Sequence, residues 1–168
     1  MADVVMDGTE PPTTTMAIFA YAGVLPETLD CIAREVREWP RRRLHYARVS
    51  SDALIDRSRS RLASGFLADP SVGDVLVMVD HDMTWRPGDL EHIARSCAKT
   101  RSVVGGIYSK RSFADGVAAR LSEDGSFTQG TDRLVKAEYV STGFMASHRD
   151  VLKALADTLP LTLGNFYP

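Results

Sequence analysis

The stretch Asp74-Val75-Leu76-Val77-Met78-Val79-Asp80-His81-Asp82-Met83-Thr84-Trp85 constrains this chain more than any other. Five consecutive apolar residues run straight into two aspartates one residue apart. An apolar run without alternation reads as a strand buried on both faces, usually in the middle of a parallel sheet. Ligands of such sheets gather beyond the carboxyl ends of the strands, where Asp80 and Asp82 fall. Two carboxylates this close repel unless a cation or several donors offset them. They supply hard oxygen ligands suited to Mg²⁺ or Mn²⁺, which in turn can hold a diphosphate. The competing reading makes them caps of the following turn.

The flanking pattern is strand–helix. Residues 1–15 carry no periodicity and read as a tail, leaving 16–168 as one domain. Met16–Tyr21 reads as a first strand, followed by the small residues Ala22-Gly23, where a ligand can approach the backbone. Pro26–Trp39 reads as a helix with Leu29, Ile32, Ala33 and Val36 on its buried stripe. Leu44–Val49 reads as a second strand. Ser50-Ser51-Asp52 then offers an N-cap for a helix reaching about Ala68. Ile55, Leu62 and Phe66 share one face of it. Arg59 falls on the same face, whereas Arg57 and Arg61 point toward water. A guanidinium on a core-facing stripe needs an anion, either Asp80, Asp82 or a bound phosphate.

Beyond the central strand, Pro87 opens a helix with a Leu90, Ile93, Ala94, Cys97 stripe, and Val103–Tyr108 reads as a fourth strand. Asp124-Gly125 reads as a hairpin turn between Val117–Leu121 and Phe127. Leu134–Val140 is a further strand, and a last helix carries Val151, Leu152, Leu155 and Leu159. The order implies a layered α/β sheet with an antiparallel region late in the chain.

Composition excludes several classes. Twenty basic and 22 acidic residues give a net charge of −2, so no global field favours nucleic acid. No apolar run approaches a membrane span, and the start lacks a secretory pattern. Cys31 and Cys97 show no metal spacing and read as free thiols of a cytoplasmic protein. His81 alternates away from its neighbouring aspartates. Tyr21 either stacks on a base or packs in the core, and Trp85 either stacks on a sugar or packs on the following helix.

Four ordered pieces carry a resemblance: the arginine-bearing helix Ile55–Leu67, the segment Val77–Leu90 with its Asp80-His81-Asp82, the strand Val103–Arg111, and Val140-Ser141-Thr142-Gly143-Phe144-Met145 leading into His148–Leu152. Together they resemble GT-A glycosyltransferases of the family-2-like kind, including small versions common in phages and bacteria. The resemblance implies a Rossmann-like three-layer domain that takes a UDP- or GDP-sugar with Mn²⁺ or Mg²⁺ and transfers the sugar to an acceptor. It implies Asp80 on the ribose or metal side, Asp82 as metal ligand, and Arg59 near the nucleotide. Tyr21, Ala22, Gly23 and His81 join the nucleotide side, while Trp85, Gly106, Tyr108, Gly143 and Phe144 line the sugar or acceptor side. No counterpart of the family's acidic Glu-Asp motif follows Phe144, and the chain stops at Tyr167-Pro168, about where that region would begin. No catalytic base is therefore assigned, and the expectation is a truncated or naturally short relative. A second copy could cover the face left open.

Two other readings stay open. One is a domain that binds a nucleotide-sugar, or serves in a virion, without catalysis. The other is a phosphatase of the haloacid-dehalogenase kind with Asp80 as nucleophile, since Asp80-X-Asp82-X-Thr84 resembles that family's first motif.

Overall fold

The computed structural model describes residues 10–40, 43–50, 52–108, 118–122 and 134–158. Its elements are β1 (Thr14–Ala20), α1 (Pro26–Glu38), β2 (Leu44–Ser50), α2 (Ile55–Ala68), β3 (Val75–Asp80), α3 (Asp89–Thr100), β4 (Val103–Gly105), β5 (Ala119–Leu121), β6 (Ala137–Val140), β7 (Phe144–His148) and α4 (Arg149–Thr158). A 3-10 turn, Pro70–Val72, precedes β3. The main sheet has the order β2-β1-β3-β7-β4. β1 pairs in parallel with β2 and β3, whereas β7 runs antiparallel to both β3 and β4. β5 and β6 form a separate antiparallel pair.

Period-two alternation divides the core. Met16, Ile18, Val75, Val77 and Val79 face the layer holding α1 and α3. Ala17, Phe19, Leu76 and Met78 face the other layer, with Phe66 and Leu62 from α2 and Leu152 from α4. β3 is buried on both sides, with Val75, Leu76, Val77 and Val79 fully inaccessible. This is the three-layer α/β arrangement expected of its unbroken apolar run.

Several boundaries differ from the sequence reading. β1 starts at Thr14, inside the supposed tail. Thr14 and Thr15 are β-branched, and their hydroxyls donate to Pro12 O and Val72 O (both 2.9 Å), so burial leaves no orphan donor. The sheet-facing stripe of α1 is Thr28, Cys31, Ile32 and Glu35, and Leu29 and Val36 stay exposed. Glu35 is tolerated there because Trp85 Nε1 donates to it at 2.9 Å and Arg34 pairs with it at 3.1 Å. α2 has Leu54 at its N-cap, without a side-chain cap. Asp52 instead accepts the Leu54 amide at 3.0 Å, an Asx turn one step before the helix. α3 begins at Asp89 rather than Pro87, behind Gly88 at φ 88°. The sequence reading names no strand between Val140 and the last helix, yet Phe144–His148 forms β7, wedged between β3 and β4. The Asp124-Gly125 turn, Phe127 and Leu159 lie outside the described residues.

Candidate functional site

In the order β2-β1-β3 the chain leaves β1 toward one side, then returns to its other side. Such a reversal opens a crevice at the strand carboxyl ends. A cleft of about 490 Å³ lies there, within the size range of small-molecule sites. Phe19, Ala20 and Tyr21 from the end of β1, Val49 and Asp52 from β2 and its exit, Ile55 and Ser58 from α2, Asp80, His81, Asp82 and Met83 after β3, and Tyr108 line it.

Asp80 is the joint of this site. Its amide donates to Gly143 O at 2.9 Å and its carbonyl accepts from Met83 N at 3.2 Å. Its Oδ1 accepts from Arg59 Nη2 at 2.7 Å. Arg59 also donates to the Thr142 hydroxyl and, at 3.4 Å, to the Thr142 carbonyl. Its guanidinium lies 5.5 Å from the centre of the Phe19 ring, a distance at which the ring face attracts a cation. One arginine from α2 thus ties together β1, the end of β3 and the β6–β7 turn. Its side chain is 16% exposed against 35% for Asp80, so the pair is partly shielded from water.

The turn that follows is fixed by its backbone, since Leu25 N donates to His81 O at 3.0 Å. Tyr21 stands exposed at the mouth. On the opposite wall Asp52 accepts from Arg57 Nε at 2.9 Å and Nη2 at 2.5 Å. These bonds, then the Leu54 amide, hold its carboxyl far below the usual carboxylate range. Arg57 is thus engaged with Asp52 rather than turned to water.

The residues assigned from the sequence separate into two sets. Tyr21, Arg59, Asp80, His81, Asp82 and Tyr108 converge on or beside the cleft, while Ala22 and Gly23 follow Tyr21 in the exposed turn. Trp85 and Phe144 do not line it. They are 7% and 6% exposed and stack on each other at 5.7 Å inside the core. Burial of the indole follows from its bond to Glu35. Gly106 is explained by packing, because a Cβ there would fall 2.7 Å from the Phe144 ring. Gly143 admits Tyr108: a Cβ would sit 2.3 Å from Tyr108 Oη and 3.2 Å from Asp80 Oδ2. Tyr108 Oη donates to Ser141 Oγ at 2.5 Å and accepts the Gly143 amide at 3.1 Å. The sequence reading missed Asp52, Ile55, Ser58 and Met83. Applying the strand-end rule to β2 as well as to β3 would have found Asp52.

For a divalent cation the site offers the carboxylates of Asp80 and Asp82. Among the described residues no group of three or more His, Cys, Asp and Glu side chains converges. That donor set does not make an all-protein cage, and a Mg²⁺ or Mn²⁺ ion held here would have to draw its other ligands from phosphate and water.

No known family model matches the chain, and no curated protein matches it in sequence. Among solved structures it is similar to A197 from STIV, with a TM-score of 0.60 at 15% identity, over 83% of this chain and 67% of that one. That likeness extends to the fold, a mainly parallel α/β sheet flanked by helices. Among the described residues no helix is long and apolar enough to cross a membrane.

Proposed function

We propose that this protein is a metal-dependent glycosyltransferase of GT-A-like architecture whose donor is a UDP- or GDP-sugar. The observation that carries the reading is the placement of Asp80 and Asp82 at the carboxyl end of the central strand, on the wall of a 490 Å³ cleft. A cation at Asp82 would neutralise the charge that develops on a leaving diphosphate. Asp80, steadied by Arg59, suits hydrogen bonding to ribose hydroxyls. Tyr21 at the mouth offers an aromatic face to a base. Tyr108 lines the cleft and is held there by Ser141 and the Gly143 amide, and the transferred sugar would lie against it.

The phosphatase reading needs Asp80 as a free nucleophile. Its Oδ1 is engaged by a guanidinium at 2.7 Å, which withdraws electron density from the attacking group, so the transferase is preferred.

The test is a thermal-shift panel of nucleotide-sugars with and without Mn²⁺. Binding at a hundredfold excess over Kd adds about 2.7 kcal/mol of apparent stability. The expected result is a Mn²⁺-dependent rise in Tm with a uridine or guanosine donor, lost in Asp82→Ala. Turnover then separates a transferase from a binding domain. A panel without any metal-dependent shift refutes the proposal.

A further inference from the structure

The Arg59–Asp80 pair bears on how metal reaches the site, an inference that rests on the donor-binding reading above. Two carboxylates one residue apart would by themselves attract a divalent ion. Here the charge of Asp80 is met by a guanidinium. Arg59 Nη2 holds Asp80 Oδ1 at 2.7 Å, and the guanidinium is fixed from behind by Thr142 and by the Phe19 ring. Arg59 is 84% buried by its side-chain exposure of 16%, so its charge is weakly screened at the place where a cation would sit. No third acidic, histidine or cysteine side chain converges on the aspartates among the described residues.

We propose that Arg59 is a positioning residue that lowers the divalent-cation affinity of the ligand-free cleft, so that metal and nucleotide diphosphate enter together. The diphosphate brings negative charge and oxygen ligands that outweigh the guanidinium. The same guanidinium then contributes to anion binding rather than opposing it. Metal affinity is thereby made conditional on the nucleotide.

The experiment is a Mn²⁺ titration followed by electron paramagnetic resonance at low ionic strength, on the whole chain, alone and with UDP or GDP. Three proteins are compared: the parent, Arg59→Met and Arg59→Lys. A Coulomb interaction of this range in a partly shielded site corresponds to at least a tenfold effect on affinity. The parent is expected to bind Mn²⁺ weakly alone and at least tenfold more tightly with nucleotide. Arg59→Met should bind Mn²⁺ at least tenfold more tightly than the parent without nucleotide and lose most of the nucleotide effect. Arg59→Lys keeps the charge and should resemble the parent, which separates charge from packing. Circular dichroism establishes that each variant is folded, and an unfolded Arg59→Met is replaced by Arg59→Gln.

If the parent shows the nucleotide effect but Arg59→Met gains no metal affinity, the role of Arg59 is overturned and the donor-binding reading stands. If Arg59→Met gains affinity while neither nucleotide affects the parent, Arg59 does oppose the cation, but its coupling of metal to nucleotide is overturned and the donor reading fails. If neither protein binds Mn²⁺ under any condition, both are overturned.

Discussion

Replacing Gly143 by alanine tests whether the contact between this turn and Tyr108, a residue of the cleft wall, is built as described. The glycine is not at a positive φ, since the positive-φ glycines among the described residues are Gly73 and Gly88. Strain is therefore not the issue. The methyl group itself is: it would land 2.3 Å from Tyr108 Oη, 3.0 Å from Tyr108 Cζ and 3.2 Å from Asp80 Oδ2. The phenol has to withdraw, and it loses its bond to Ser141 Oγ and the one it accepts from Gly143 N. Each such bond contributes about 0.5–1.5 kcal/mol. Against this stands a gain of about 0.4–1 kcal/mol from restricting the unfolded chain. The net expectation is a loss of about 1–2 kcal/mol, measured as a lower urea midpoint at unchanged m-value.

The decisive comparison is the same substitution in the Tyr108→Phe background. Without Oη the nearest obstacle becomes the ring carbon at 3.0 Å, which a shift of a few tenths of an ångström relieves. Gly143→Ala should then cost less than about 0.5 kcal/mol, or even stabilise, giving a coupling energy of about 1 kcal/mol or more. An equal cost in both backgrounds would show that the Tyr108 hydroxyl is not what Gly143 makes room for.

Two further outcomes follow from contacts away from the cleft. Arg149 donates to the carbonyls of Phe66, Asp69 and Gly73 at 2.7, 2.9 and 2.6 Å and lies 4.1 Å from the centre of the Phe66 ring. A lysine cannot reproduce that fork, so Arg149→Lys should lower stability by about 2–3 kcal/mol in urea unfolding, and an unchanged midpoint would show that these bonds do not hold the end of α2 and the turn before β3 in place. Burial pushes the Cys97 thiol up to about 12 from 9.0. Cys97 should therefore resist Ellman's reagent at pH 8 in the native protein and react in urea, read in a Cys31→Ala background. The folded state keeps this proton where the unfolded chain releases it. That stabilising contribution is complete below about pH 9 and is lost as pH rises toward 12, and Cys97→Ala should flatten stability against pH across that window.

The parts legible in the sequence were those dominated by a strong local signal. The unbroken run Val75–Val79 marked a central strand. The shared face with Leu62 and Phe66 placed the Arg59 guanidinium inward, and its partner is Asp80, whereas Ile55, read onto the same stripe, is 41% exposed at the cleft. Two kinds of feature escaped. Phe144 follows a functional-looking motif, yet it stacks on Trp85 in the core, and of the two readings of Trp85 packing is the one found, with Glu35 accepting its indole N–H; no local pattern encodes these long-range partners. β7 contains Ala146 and Ser147, small residues with little strand preference, and its identity as a strand comes from burial between β3 and β4. The α1 stripe was misplaced for a related reason. Glu35 looks like a solvent residue until its partners are known.

The missed strand is also what assembles the cleft. β7 is antiparallel to β3, with Val79 opposite Phe144 and Val75 opposite His148. Its first residue therefore lies beside the carboxyl end of β3, and the preceding turn, Ser141-Thr142-Gly143, is delivered next to Asp80. There Thr142 meets Arg59, Gly143 O receives the Asp80 amide, and Ser141 meets Tyr108. A parallel strand at this position would put that turn at the opposite edge of the sheet. With five residues in β7, the displacement would be about 17 Å at a rise of roughly 3.3 Å per residue. One reversed strand in an otherwise parallel sheet thus converts a bare strand-end crevice into a walled cleft. It also explains why Arg59, which bridges α2 to that turn, is the side chain on which the local geometry depends.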